Sequence, residues 1–159
     1  MRKDDPPITL FMERLNRLTM GELARLKRNT GKSLADSHHV LGLFFNLLPA
    51  GVSRYDEPWF FLVATLFPLT DRAETGTLGH ALRRARSSEN GEGLDRRFEV
   101  LLDADESQLP YRLRQAIRLL ASNDVAINWP QLLSDLTNWT HPNRFVQERW
   151  ARDYFSKEE

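Results

Sequence analysis

The chain contains no cysteine among its 159 residues, and its 22 basic and 22 acidic side chains cancel. Without cysteine it cannot hold a disulfide scaffold, a zinc finger, an iron–sulfur cluster or a cysteine nucleophile. Zero net charge argues against a protein that binds nucleic acid by bulk positive charge. It leaves room for a locally basic face, because fields act over about 8–10 Å in physiological salt.

Long apolar runs are also missing. The longest, Trp59–Phe67, is interrupted by Thr65 and followed by Pro68, whereas a membrane-spanning helix needs about 20 apolar residues. The opening segment Met1–Pro7 lacks the apolar stretch of a signal peptide. We therefore expect a cytoplasmic protein.

Residue patterns that indicate catalysis or metal binding are scarce. His38 and His39 are adjacent, so on a helix they would point about 100° apart and would not share a metal ion. The chain has no HExxH motif and no glycine-rich phosphate loop. The two aspartates in the run 101–106 are typical of a solvated helix end. The sequence predicts no enzyme, no metal site and no cofactor.

Proline, glycine and small polar residues divide the chain into segments with helical periodicity, and alternating strand patterns are scarce. This predicts an all-α fold, a compact bundle of eight or nine short helices. We expect a single helical domain, 1–159, with a possible boundary between two subregions near 70–77. The predicted helices are 8–18, 22–29, one from Asp36 or Ser37 to Leu48, 58–67, 78–86, 94–102, 109–122, one from Asn128 to Asn138, and a last one that Pro142 opens.

Polar residues at helix starts can accept hydrogen bonds from the first free N–H groups. The predicted caps are Asp36 or Ser37, Asp56, Ser107 and Asn128. The helix after Asp56 is apolar nearly all round, which is typical of a helix at the centre of a bundle. Trp59, Trp139 and Trp150 are predicted to pack in the core rather than to stack on bases, and Trp129 is predicted to pack at the entry to its helix.

Basic residues are concentrated although the total charge is balanced. Residues 8–33 carry six basic and two acidic side chains, and the segments 78–87 and 109–122 each carry three arginines and no acid. The acids gather in the run 99–106 and at both ends of the chain (Asp4, Asp5, Glu158 and Glu159). The net charge is thus a sum over separate basic and acidic regions.

Two pairs of arginines share a helix face. Arg114 and Arg118 are four residues apart and Arg25 and Arg28 are three apart, spacings at which helical side chains are neighbours. Arginine binds phosphate well through its fixed fork of donors. The pattern favours a surface for a phosphate backbone. The open alternative is an ordinary solvated surface whose arginines pair with acids from neighbouring helices.

Five short blocks carry a family resemblance. They are Leu23–Arg28, Thr77–Leu82 with the pattern S/T-L-G-x-A-L, Arg96–Leu102, Tyr111–Ile117 and Ile127–Leu136. These blocks occur in this order in a chain whose segments all have helical periodicity, and together they resemble the CasB family. Proteins of that family are the small subunit of Cascade, the type I-E CRISPR surveillance complex. Two positions depart from that family: the acidic run 103–106 stands where some relatives carry bases, and Asn128 stands where aspartate is common.

The resemblance implies a non-catalytic subunit that contacts the CasC backbone and the large subunit CasA, usually as a head-to-tail pair of copies. It would support the duplex of crRNA with target DNA and the separated strands of an R-loop. The expected phosphate contacts are Arg25, Lys27, Arg28, Arg83, Arg112, Arg114 and Arg118, followed by Arg96, Arg97 and Arg144. Of these, Arg97 could instead form an ion pair inside the fold.

Two other functions stay open. The first is a helical module whose basic faces bind an acidic protein and no nucleic acid. The second is a helix-turn-helix repressor, which would bind duplex DNA sequence-specifically; the chain shows no clear recognition helix for that role.

Overall fold

A computed structural model describes residues 1–156; the acidic pair Glu158 and Glu159 lies outside the described residues. Within them the chain forms nine α-helices, a 3₁₀ turn and no sheet, so the predicted all-α fold is confirmed. The helices are α1 (Pro6–Asn16), α2 (Met20–Lys27), α3 (Leu41–Leu47), α4 (Glu57–Leu66), α5 (Leu78–Ala85), α6 (Gly91–Leu102), α7 (Leu109–Ser122), α8 (Trp129–Thr137) and α9 (Phe145–Phe155). Across the described residues, no helix has both the length and the apolar character that crossing a membrane requires.

The helices form two compact units. The first comprises Met1–Leu69 and Trp129–Thr137, and therefore contains α1 to α4 and α8. The second comprises Thr70–Asn128 and the chain from Asn138 onward, and contains α5 to α7 and α9. Each unit draws helices from separate parts of the sequence, since the chain returns to the first unit for α8.

Helix α4 is the centre of the first unit. Its side chains from Trp59 to Leu66 are buried, and it contacts α2 and α8. Phe60 meets Phe11 of α1 edge-on, with 4.9 Å between ring centroids, and Phe61 meets Phe44 of α3 at 5.2 Å. Edge-to-face rings are a favourable aromatic geometry. The central position predicted from the apolar sequence of this helix is confirmed.

The second unit is built on the packing of α5 against α9. Trp139 and Trp150 lie in its core with 5.1 Å between ring centroids. The Nε1 of Trp139 donates to the carbonyl of Ala104 at 2.8 Å, which satisfies the polar end of a buried indole. In the first unit, Trp129 packs against Phe67. All four tryptophans are buried, so the predicted core role of Trp59, Trp139 and Trp150 is confirmed. Trp129 is the first residue of α8.

The predicted start of α3 is wrong. The helix begins at Leu41, so His38 and His39 lie in the preceding loop rather than on the helix. The buried side chain of Asn29 anchors that loop, because its oxygen accepts the N–H of His38 at 2.7 Å and its nitrogen donates to the carbonyl of His38 at 3.1 Å. This anchor comes from the end of α2, outside the local pattern on which the prediction rested.

The predicted start of α9 is also wrong. Pro142 lies in a turn, and the helix begins at Phe145. Arg144 precedes it in the left-handed conformation, with φ 55°. The side-chain oxygen of Asn143 accepts the N–H of Phe145 at 3.0 Å, so an asparagine supplies the partner that the start of this helix needs.

Two predicted caps are replaced by acceptors that stand earlier in the sequence. Asp105, rather than Ser107, accepts the N–H groups of Ser107 and Gln108, each at 2.9 Å. The hydrogen bonds that the Asp105 carboxyl accepts from the Ser107 hydroxyl and from the Gln108 N–H lower its pKa. Before α4, the hydroxyl of Ser53 accepts the N–H of Asp56 at 3.2 Å. Within the described chain, the Asp56 side chain forms no cap hydrogen bond.

Candidate nucleic-acid interface

The first unit contains a basic depression, here called the α2 pocket. It has a volume of about 500 Å³ and is lined by Arg25, Arg28, Asn29, Lys32, His38 and His39. Arg25 comes from α2 and Arg28 is the residue that caps its end. The histidines come from the loop before α3. Every ionisable group in this lining is basic, so the α2 pocket can attract an anion.

Local structure fixes the position of the α2 pocket. Thr19 and Glu22 form a reciprocal capping box, with the Glu22 N–H donating to the Thr19 hydroxyl at 3.1 Å and the Thr19 N–H to the Glu22 carboxylate at 2.9 Å. Farther along α2, Arg25 donates through Nη2 and Nε to the carbonyl of His39 at 2.7 and 3.2 Å. These bonds hold the histidine loop against the helix and leave other N–H donors of the guanidinium for a ligand.

The second unit contains a different basic site, here called the α6–α7 groove. Its volume is about 160 Å³, and it is lined by Leu82, Leu94, Arg96, Arg97, Phe98, Val100, Leu101, Arg112, Gln115, Ala116 and Leu119. Three predicted arginines therefore meet at one place, two from α6 and one from α7. Their side chains border an apolar floor that includes Phe98 and Leu101.

An exposed tyrosine extends this basic surface along α7. The ring of Tyr111 is 51% exposed. The guanidinium carbons of Arg112 and Arg114 lie 5.8 and 5.4 Å from its centroid, within the range of a cation–π contact. Arg118 is exposed one turn beyond Arg114. The outward direction predicted for the arginine pair of α7 agrees with this exposure, although Arg114 is partly covered.

The remaining predicted residues have different surroundings. Lys27 is exposed at the end of α2, outside the lining of the α2 pocket, and Arg83 is half-buried on α5. The Nε of Arg97 donates to the carbonyl of Gly93 at 3.4 Å, so its contact within the fold is to the backbone of its own helix. The two basic sites belong to different units.

Arg144 binds the end of α6. Its Nη2 donates to the carbonyl of Leu102 at 2.6 Å and lies 3.5 Å from a carboxylate oxygen of Asp103. A cation at the carbonyl end of a helix is favourable because the helix dipole is negative there. This guanidinium thus has a structural role in the second unit.

Arg86 illustrates the alternative that acids of a neighbouring helix neutralise arginines. No acid lies near it in sequence on α5, yet it forms two hydrogen bonds of 2.9 Å with Asp95 of α6. The hydroxyl of Tyr154 donates to the same carboxylate at 2.5 Å. The hydrogen bonds from Arg86 and Tyr154 hold the pKa of Asp95 at about 2, and burial raises the pKa of Tyr154.

Sequence reasoning missed several residues of both sites. Lys32 belongs to the basic segment that the sequence shows, whereas His38 and His39 are considered only as metal ligands and are placed on a helix by the sequence pattern. Tyr111 and Val100 were not assigned to any site. Two sequence signals could have indicated these residues. Val100 is an apolar side chain on the polar face of α6, and Tyr111 lies next to arginines on α7.

Comparison with known proteins identifies the family. The family described as CRISPR-associated protein Cse2 matches residues 22–155. A CRISPR-associated protein Cse2 from Thermus thermophilus is 39% identical over 97 residues, which are 60% of this chain and 54% of that protein. The match thus spans about half the length of that relative.

Solved structures show the same fold. CasB from Thermus thermophilus is 31% identical, with a TM-score of 0.82, over 95% of this chain and 98% of that one. CasB from M. ruber is 33% identical, with a TM-score of 0.76, over 91% and 90%. A chain of a CRISPR RNA-guided surveillance complex is 22% identical, with a TM-score of 0.77, over 92% and 89%, a likeness of fold. By the extent of the family match, this chain belongs to the Cse2 family of CRISPR-associated proteins.

Proposed function

We propose that this chain is a non-catalytic small subunit of a type I-E Cascade complex. It contacts the phosphate backbones of the crRNA, the target DNA and the displaced strand, and thereby stabilises an R-loop. The observation that carries the proposal is the meeting of Arg96, Arg97 and Arg112 at the α6–α7 groove, with Arg114 and Arg118 farther along α7. Membership of the Cse2 family supports it.

Backbone contacts suit this task energetically. Exchanging a DNA duplex for an RNA–DNA duplex is nearly balanced, so a few protein contacts can decide whether the R-loop persists. The guide RNA reads the sequence, and contacts to phosphate need no sequence preference of their own. Arginines on exposed helix faces supply such contacts without reading base edges.

The remaining phosphate contacts belong to the first unit and to α5. Arg25 and Arg28 of the α2 pocket, together with the exposed Lys27, form a second basic surface. Arg83 of α5 is proposed as an additional contact. Arg144 is the weakest candidate, because its donors already serve the end of α6.

Assembly with other proteins explains the balanced charge. We include CasA, CasC and a second copy of this chain among the proposed partners. A subunit that other proteins hold beside the nucleic acid needs only local basic surfaces, because its effective concentration there is high. Zero net charge also limits binding to unrelated DNA before assembly.

A helical module for an acidic protein partner is the second candidate. The apolar floor of the α6–α7 groove favours it, since an apolar patch with a polar rim is a usual feature of protein interfaces. This candidate predicts binding to an acidic peptide with an apolar side chain and no binding to nucleic acid.

A binding assay with the full-length chain separates the two candidates. Two single-stranded DNAs of equal length and unrelated sequence are titrated at low salt in a gel-shift assay. The proposal predicts equal affinity for both strands and a steep loss of binding as salt rises. Failure to bind either strand, combined with binding to the acidic peptide, would support the protein-binding module instead.

A further inference from the structure

The floor of the α6–α7 groove has a property that phosphate binding alone does not require. Val100 is 45% exposed beside the arginines, and Ala116 and Leu119 of α7 continue the apolar lining. No carboxylate is among the described residues that line the groove. A ligand that complements it must therefore carry negative charge on the outside and an apolar surface in the middle.

We propose that the α6–α7 groove binds one unpaired base of a single strand, and that Tyr111 stacks on a neighbouring base. This inference deepens the proposed function and rests on it. The base would lie on the apolar floor, and the phosphates on either side of it would meet the arginines.

The volume of the groove is sufficient for one aromatic ring. A cavity of about 150 Å³ with apolar walls accommodates a benzene molecule, and the α6–α7 groove measures about 160 Å³. One six-membered ring of a base matches this space. Gln115 also lines the groove, and its amide offers both a donor and an acceptor to the edge of a base.

The arginines stand where the flanking phosphates require them. Arg96 and Arg97 come from α6, and Arg112 comes from α7, the helix on the other side of the groove. A nucleotide in a single strand has one phosphate before its base and one after it. Cations on both helices therefore match a strand that crosses the groove with one base turned inward.

Tyr111 continues the site along α7. It lies four residues before Gln115, so the two side chains are neighbours on the helix surface. Its ring is half exposed, and guanidinium groups lie near it from Arg112 and Arg114. Aromatic side chains of this kind bind successive bases of a single strand by stacking, with arginine contributing cation–π contacts. An acidic peptide with one apolar anchor would have no use for this second aromatic surface.

The test compares two strands with the full-length chain at low salt. One is a fluorescein-labelled oligothymidine and the other has the same length and phosphates but abasic sites, and fluorescence anisotropy measures their affinities. We expect the abasic strand to bind about a hundredfold more weakly, because the site holds two bases and each contributes a factor of about ten. Ala116→Phe fills the groove and should weaken oligothymidine binding while leaving the abasic strand unaffected.

Two further variants keep the test decisive. If the larger side chain of Ala116→Phe prevents folding, Val100→Ser is used in its place, because it removes apolar surface of the groove at an exposed position. Tyr111→Ala should weaken oligothymidine binding about tenfold, whereas Tyr55→Ala removes a tyrosine of similar exposure from the first unit and should have no effect.

The possible failures are distinguishable. Equal binding of both strands, with loss of binding in Arg112→Glu, would overturn the base site and leave the proposed phosphate contacts intact. Absence of binding to either strand would count against both proposals. Tight binding of an acidic peptide that contains phenylalanine, with no binding of oligothymidine, would assign the groove to a protein partner and overturn the base site.

Discussion

Gly79 of α5 lies directly against the backbone of Trp150 of α9. A Cβ atom at residue 79 would stand 2.3 Å from the Trp150 carbonyl oxygen, closer than such atoms approach in proteins. The hydroxyl of Thr77 donates to Asp153 of α9 at 2.6 Å and ties the start of α5 to the same helix. The glycine in the block Thr77–Leu82 is therefore explained by the close packing of two helices.

Replacing this glycine should destabilise the second unit. Gly79→Ala forces a methyl group against a backbone carbonyl that no rotamer change can move away, and we expect a loss of about 1–3 kcal/mol in the free energy of unfolding. Gly93→Ala is the matched control: apart from its chain neighbours and the backbone of its own helix, no described atom lies within 4 Å of its Cβ position. That variant should be more stable than wild type by about 0.5–1 kcal/mol, because alanine favours helix. Urea unfolding measures both; equal stability of the two variants would contradict the close packing of α5 and α9.

The ion pair of Asp95 predicts a loss of stability in acid. Its pKa of about 2 is below the ordinary value of about 3.9, so the folded protein binds this proton less readily than the unfolded chain. The stabilisation is therefore present above pH 4 and is lost as the pH falls towards 2. Asp95→Asn should be less stable than wild type at pH 6, and its stability should fall less steeply between pH 4 and pH 2.

Thermal unfolding at a series of pH values measures this effect. The control is Glu148→Gln, which removes a carboxylate whose pair with Arg152 is largely exposed and therefore contributes little. If Asp95→Asn and wild type lost stability in parallel down to pH 2, Asp95 would not be the group responsible.

Arg144 should matter for stability more than for nucleic acid. Arg144→Ala removes the guanidinium that donates to the carbonyl of Leu102. It also places alanine in the left-handed conformation of residue 144, with φ 55°, where alanine is strained. Arg144→Gly loses the same donor without that strain and should be more stable than Arg144→Ala by about 1 kcal/mol. DNA affinity of the folded variants should fall much less than that of Arg112→Glu, because the donors of Arg144 already serve the end of α6. An affinity loss as large as that of Arg112→Glu would contradict this mainly structural role.

Features set by local sequence could be predicted. Helix α7 has the predicted bounds, Leu109–Ser122, because its apolar residues recur with helical period and Pro110 suits a first turn. Helix α4 was recognisable as central because it has no polar face. Both properties depend on neighbouring residues alone.

Features set by tertiary contacts could not be predicted. The α2 pocket exists because Asn29 and Arg25 hold the loop that carries His38 and His39, and no periodicity indicates such an anchor. The partner of Arg86 comes from the next helix, so the lack of acids in the segment 78–87 did not show that this arginine was available for phosphate.

The arginine pair of α7 tests the central claim. Arg114→Gln together with Arg118→Gln removes two proposed phosphate contacts without introducing negative charge. The control, Arg17→Gln together with Arg152→Gln, removes the same charge from exposed positions outside both basic sites. Each double variant is assembled with the proposed partner proteins, and circular dichroism confirms that the variant subunits are folded.

The most direct measurement is the dependence of target-DNA affinity on salt in the assembled complex. Each phosphate contact to a single strand contributes about 0.7 to the slope of log affinity against log salt concentration. The account predicts that the α7 double variant binds more weakly and that its slope is smaller by about 1.4, while the control pair matches wild type. An unchanged affinity and an unchanged slope in the α7 variant would contradict the proposed contact with nucleic acid.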